Sequence, residues 1–91
     1  MIEMKKLANE AAERYNRYRF PEATVKVLNT TDNSIEVLFE GPFVNSCCFY
    51  DWIDDYKIEL MDLSGIKFEI LDIEQIDIEK FKVKFKANIT R

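Results

Sequence analysis

Ninety-one residues, 47% of them hydrophobic and 13% aromatic, make one domain (residues 1–91) able to build a core without a disulfide or a structural metal. A formal net charge of −4 and a pI near 4.8 exclude the basic footprint that general nucleic-acid or anionic-membrane binding requires. Histidine is absent, which removes every catalytic dyad or triad built on an imidazole.

The chain starts Met1-Ile2-Glu3-Met4-Lys5-Lys6 and runs directly into an amphipathic pattern, with no apolar leader region or small-residue cleavage site. With no apolar run long enough to span a bilayer, the expected location is cytoplasmic, without membrane contact. Over residues 2–19, Met4, Leu7, Ala8, Ala11, Tyr15 and Tyr18 recur at the spacing of one buried helix face. Glu10–Arg14 and Glu13–Arg17 stand at i,i+4, and Arg14, Arg17 and Arg19 suit the negative end of the helix dipole. Phe20-Pro21 ends the helix, because a residue before proline avoids the helical region.

Residues 23–29 alternate, as do Ile35, Val37 and Phe39, around the polar turn cluster Thr30-Thr31-Asp32-Asn33-Ser34; this predicts a hairpin. Helical period returns over 47–62, where Phe49, Trp52, Ile53, Tyr56, Leu60 and Leu63 share one arc, and Ser64-Gly65 supplies the stop. Ile66, Phe68 and Ile70 open a third strand. Between Asp72 and Glu79 the alternation slips once, which predicts a turn or bulge. Lys80 to Ala87 is the most regular strand pattern of all.

The order is α-β-β-α-β-β, two αββ units in tandem. The fold class is therefore α+β: a two-layer αββαββ sandwich with a four-stranded, mainly antiparallel sheet and two helices on one face. Its expected core holds Phe39, Phe49, Trp52, Ile53, Tyr56, Phe68, Phe81, Val83 and Phe85.

The rare residues gather in Gly41-Pro42-Phe43-Val44-Asn45-Ser46-Cys47-Cys48-Phe49-Tyr50-Asp51-Trp52, which holds both cysteines and the only tryptophan at a strand-to-helix junction. Ser46 or Asn45 suits an N-cap, which would put Cys47 and Cys48 in the first helical turn. A thiol there ionises more readily than a free one. The alternative is that Cys48 is a small buried hydrophobe and Cys47 a bystander. Adjacent cysteines diverge by about 100° on a helix and rarely chelate one ion, so neither a metal nor a cofactor is expected. The loop could seat an anion at the helix N-terminus, but Asp51, Asp54 and Asp55 oppose that.

Asp51, Asp55, Glu59 and Asp62 make a stripe read as a solvated helix face. Lys80, Lys82, Lys84 and Lys86 project from one side of the last strand, with Phe81 and Phe85 on the other. That geometry denies a nucleic acid simultaneous stacking and phosphate contact, and the lysines read as an edge-strand guard against aggregation. Glu36, Glu40 and Glu69 should share their face. Tyr50, Ile58 and Met61, with Cys47, lie opposite the core arc of the second helix and mark a contact surface.

The pattern Gly41-x-Phe43-x-x-Ser46-Cys47-Cys48-x-x-Asp51-Trp52 resembles one in small uncharacterised archaeal proteins, a resemblance that implies no activity. The residues favour a non-enzymatic protein-interaction domain, a homo-oligomer or the mate of another protein, over an enzyme. Its candidate interface is Phe43, Cys47, Tyr50, Ile58 and Met61. The alternative is a thiol-dependent function carried by Cys47 or Cys48.

Overall fold

The computed structural model describes residues 3–42 and 49–88. It runs α1 (Met4–Arg19), β1 (Thr24–Thr30), β2 (Ser34–Glu40), α2 (Phe49–Ser64), β3 (Lys67–Asp77) and β4 (Lys80–Asn88). The strands form one sheet in the order β1-β2-β4-β3, each antiparallel to its neighbours. This is the α+β fold expected from the periodicities. The ring of Phe39 on β2 meets Tyr15 of α1 at 5.7 Å and Tyr56 of α2 at 5.9 Å, so both helices cover the same face.

That face is built by strand alternation. The register aligns Val25 with Phe39, Val27 with Val37, and Val37 with Val83, so apolar side chains form rows across the sheet. Ile35, Val37, Phe39, Val83 and Phe85 are fully buried. About the Val37–Val83 pair the centre is nearly two-fold: Ile35 opposes Phe85, and Phe39 opposes Phe81. The tandem αββ units thus meet back to back along β2 and β4.

The helices cross antiparallel above these rows. Ala8, Ala11 and Ala12 are buried on α1, and their small side chains let Ile53, Tyr56 and Leu60 of α2 come close. The Tyr56 hydroxyl donates to the Ala8 carbonyl at 2.9 Å and the Tyr15 hydroxyl to the Trp52 carbonyl at 2.9 Å. Each buried phenol therefore satisfies its one donor on the opposite helix. Burial pushes both phenols well above the usual tyrosine range; at Tyr15 the Arg19 guanidinium opposes the shift and Asp55 adds to it.

Of the expected core, Phe39, Ile53, Tyr56, Phe68, Val83 and Phe85 are buried, with Phe49 and Trp52 half-buried against them. Phe81 is half-buried and packs on Phe49 at 4.7 Å between ring centroids. Tyr18 departs from the expectation: it is 72% exposed. In the last turn of α1, Asn16 turns to β1 and Arg19 to α2, and Tyr18 extends past the packed layer.

β4 is an interior strand, so its lysines are not an edge guard. They form the middle stripe of the solvent face. Lys80, Lys82, Lys84 and Lys86 stand opposite Asp77, Glu74, Asp72 and Glu69 on β3, while Glu40 and Glu36 flank Lys80 and Lys84 on β2. Lys82 reaches Glu74 at 3.2 Å and Lys80 reaches Glu40 at 3.7 Å. The hydrogen bond and charge of Glu74 raise the Lys82 pKa. The slip in the third strand is real and doubled: register shifts at Ile70/Asp72 and Gln75/Asp77 leave Leu71 and Ile76 as bulges, 51% and 54% exposed.

Candidate functional site

The described part of the junction lies where three connections converge. Gly41 has φ +139, and a Cβ there would strike the backbone carbonyl of Glu22. Only glycine permits that approach of the β2 exit to the turn leaving α1. The Gly41 N–H then donates to the Glu79 carbonyl in the β3–β4 turn at 3.1 Å. The turn leaving α1 contains the cis Phe20–Pro21 bond, and Ala23 N–H donates back to the Arg19 carbonyl at 3.1 Å. α2 begins its described course at Phe49, whose ring lies between Phe81 at 4.7 Å and Tyr50 at 5.3 Å.

Exposed apolar side chains lie on two of these connections and at the start of α2. Phe20 is 70% exposed, Ile78 77% and Tyr50 66%. Phe20 and Ile78 escaped the sequence reading, because each sits in a turn where periodicity says nothing about direction. Of the expected interface, Tyr50 is outward, and so is Ile58, further along α2, at 52% exposure. Met61 is not: it is half-buried and packs against the core, because the α2 face that meets the sheet is wider than the apolar arc suggests. Phe43, Cys47 and Cys48 lie outside the described residues.

The acidic stripe of α2 is also corrected. Asp55 and Glu59 turn to α1, and Asp62, though 67% exposed, also reaches an α1 arginine. Arg14 Nε lies 3.2 Å from Glu59 and its Nη2 3.3 Å from Asp62, while Arg19 lies 3.4 Å from Asp55 and 3.7 Å from Glu59. Glu59 bridges both arginines, with only 14% of its side chain exposed. The Arg19 guanidinium sits 4.5 Å above the Tyr15 ring, a cation–π contact at the rim of the core. Its Nη1 is shielded from solvent without a hydrogen bond. Asp51 stays exposed. Arg14 thus reaches α2 and not Glu10, whereas Arg17 and Glu13 do pair along α1 at 3.6 Å.

These groups tie the two helices together, each carboxylate matched by a guanidinium group. Two depressions on the described surface are both open and shallow, one along the polar side of α1 and one at the β3–β4 turn. Among the described residues, no group of three or more Cys, Asp or Glu could hold a metal ion. No described helix is long and apolar enough to cross a membrane.

Comparisons with known proteins add fold and nothing finer. No family model matches the chain. No curated protein matches it either. A solved structure does: the Fe(II) unliganded H-NOX protein from K. algicida superposes over 86% of this chain with a TM-score of 0.55 and 18% sequence identity. The chain spans 41% of the length of that protein.

Proposed function

We propose that the domain is a non-enzymatic protein-interaction module that self-associates through the outward side of α2 and the junction beside it. The observation that carries this reading is the exposure of Tyr50 and Ile58 on a helix whose Asp55, Glu59 and Asp62 are engaged with α1. An exposed isoleucine and an exposed tyrosine on the outward side of one helix mark a contact surface. Phe43 and Cys47 belong to this surface in the proposal by their place in sequence, and Phe20 and Ile78 extend it across the neighbouring turns.

Size-exclusion chromatography with light scattering tests the reading. The wild type should run as a dimer at high concentration, and Ile58→Asp as a folded monomer, because a charge would be buried without a partner. A wild type that is monomeric at high concentration sinks the self-association claim.

The fold likeness to an H-NOX protein is a likeness to one described with Fe(II). At 18% identity it transfers no metal to this chain, which lacks histidine throughout and lacks a donor cluster among its described residues. The thiol reading rests on sequence position: Cys47 and Cys48 immediately precede the described start of α2. Alkylation of the native protein across a pH series, read by mass spectrometry, separates it from the first. Rapid labelling of one cysteine at neutral pH supports a reactive thiol, and slow labelling of both removes it.

A further inference from the structure

The two edges of the sheet are finished differently. On β1 the side chain of Asn16 lies against the strand like a fragment of a further one. Its Nδ2 donates to the Val25 carbonyl at 3.1 Å, and its Oδ1 accepts from the Val25 N–H at 2.8 Å. A register shift between Val27 and Asn29 bends the rest of that edge.

Among the described residues the β3 edge has no such cover. Because Val25 spends its polar groups on Asn16, the Val25–Phe39 pair is a non-hydrogen-bonded one. β2 and β4 pair without a register shift, so the alternation of bonded and non-bonded pairs carries from Phe39 along β4. Phe81, Val83 and Phe85 bond toward β2, and the β4 lysines bond toward Glu69, Asp72 and Glu74 of β3. Phe68, Ile70, Ile73 and Gln75 consequently turn their N–H and C=O groups outward. No hydrogen bond to those groups is found among the described residues. β3 is also the longest strand, at 11 residues.

Charge says what this edge would take. The solvent face of the sheet runs in stripes: acidic on β2, basic on β4, acidic on β3. The sheet stops on the acidic stripe, so the complementary next strand is basic. A second copy of β3 is excluded as that strand, because it would bring Glu69, Asp72, Glu74 and Asp77 against a like set. On the helix-covered side, Ile70 and Ile73 are half-buried and leave apolar surface for an added strand to cover.

We propose that the open edge of β3 is a strand-addition site for an extended protein segment that alternates basic and apolar residues. The pattern it fits is the one β4 already presents to the inner edge of β3, Lys80-Phe81-Lys82-Val83-Lys84-Phe85-Lys86-Ala87. Backbone hydrogen bonds from Phe68, Ile70, Ile73 and Gln75 supply affinity, and the acidic row selects for the basic residues. The site is separate from the self-association surface of α2.

The probe is a labelled synthetic peptide with the sequence of residues 80–88, titrated into the full chain by fluorescence anisotropy, with amide chemical shifts followed by NMR. Binding should saturate, and it should weaken with salt. The shifted amides should be those of Phe68, Ile70, Ile73 and Gln75. Gln75→Pro removes one outward N–H from an exposed side of the strand while keeping the bonds to β4, and should weaken binding by about tenfold. The double variant Asp72→Asn, Glu74→Gln keeps the backbone and should weaken binding while flattening its salt dependence, which decides the matter should Gln75→Pro unfold. Absence of saturable binding overturns the proposal. So do equal binding of a scrambled peptide of the same charge, shifts confined to β2 and β4 as in strand exchange, or indifference to the double variant.

Discussion

Replacing Asn16 with alanine isolates the contact that closes the first sheet edge. In the wild type one amide side chain satisfies both polar groups of Val25, at 3.1 and 2.8 Å, beside a Val25 side chain that is 4% exposed. Asn16→Ala leaves a donor and an acceptor without their partner. Each unsatisfied buried group costs about 1–3 kcal/mol, and water entering at the edge recovers part of it. The expected loss is therefore about 2–3 kcal/mol. For a domain of this size that lowers Tm by roughly 10–20 °C, at about 4–8 °C per kcal/mol. Urea unfolding followed by circular dichroism measures it, with the midpoint falling and the slope unchanged. Uncapping Val25 also exposes a strand edge, so the variant should aggregate more readily with concentration than the wild type. A loss under about 0.5 kcal/mol, the range of ordinary surface substitutions, would show that the Asn16 clamp is cosmetic and that α1 holds β1 by apolar contact alone.

Three further outcomes follow from the same interior. Tyr15 and Tyr56 hold their protons more tightly folded than unfolded, so the unfolded chain ionises first once pH passes about 10. Stability should fall from there by about 1.4 kcal/mol per tyrosine per pH unit. Stability that stays flat from pH 9.5 to 11.5, measured by urea unfolding, would contradict the burial of both phenols. Gly41→Ala should cost at least about 2 kcal/mol, because positive φ and the Glu22 carbonyl both oppose a Cβ. Gly65→Ala, at φ +72 in open space, should cost only about 1 kcal/mol; equal losses by thermal melting would refute the steric account. Glu59→Gln should cost about 1–2 kcal/mol because it strips a half-enclosed charge from two arginines. Asp62→Asn, 67% exposed, should change stability by no more than about 0.5 kcal/mol. The reverse ranking in chemical denaturation would return the acidic stripe to solvent.

Local periodicity carried most of the fold. Met4, Leu7, Ala8, Ala11 and Tyr15 are buried where their spacing puts them, the Thr30–Ser34 turn falls where expected, and the Ile76 bulge lies in the segment expected to slip, with a second bulge at Leu71 just before it. Periodicity does not carry strand order. A lysine on every second position suits either an edge or an interior strand between acidic neighbours, and only the pairing of β2 with β4 makes the Lys80–Lys86 ladder interior. It fails again where a partner lies far away in sequence. Asp55, Glu59 and Asp62 have the spacing of a solvated stripe, and the arginines that claim them come from α1. Asn16 gave no signal, since one polar residue at the margin of an amphipathic helix is ordinary until a strand edge is placed beside it.

The two αββ units are alike in plan and unlike in how tightly they close, and the difference points to where partners can dock. In the first unit, Asn16 seals the outer strand, Gly41 fits against Glu22, and Ala23 returns a hydrogen bond to Arg19. The second unit repeats the helix, the outer strand and the inner strand, but its outer strand ends in open backbone groups and an acidic row. Its helix keeps Tyr50 and Ile58 outward. A strand edge left unsealed is an aggregation hazard that folded proteins suppress. Here the row of Glu69, Asp72, Glu74 and Asp77 suppresses pairing with another copy of itself while leaving the edge open to a strand of opposite charge. In this proposal the first unit is the more tightly closed frame, and both docking surfaces centre on the second, with Phe20 of the first unit at the margin of one of them.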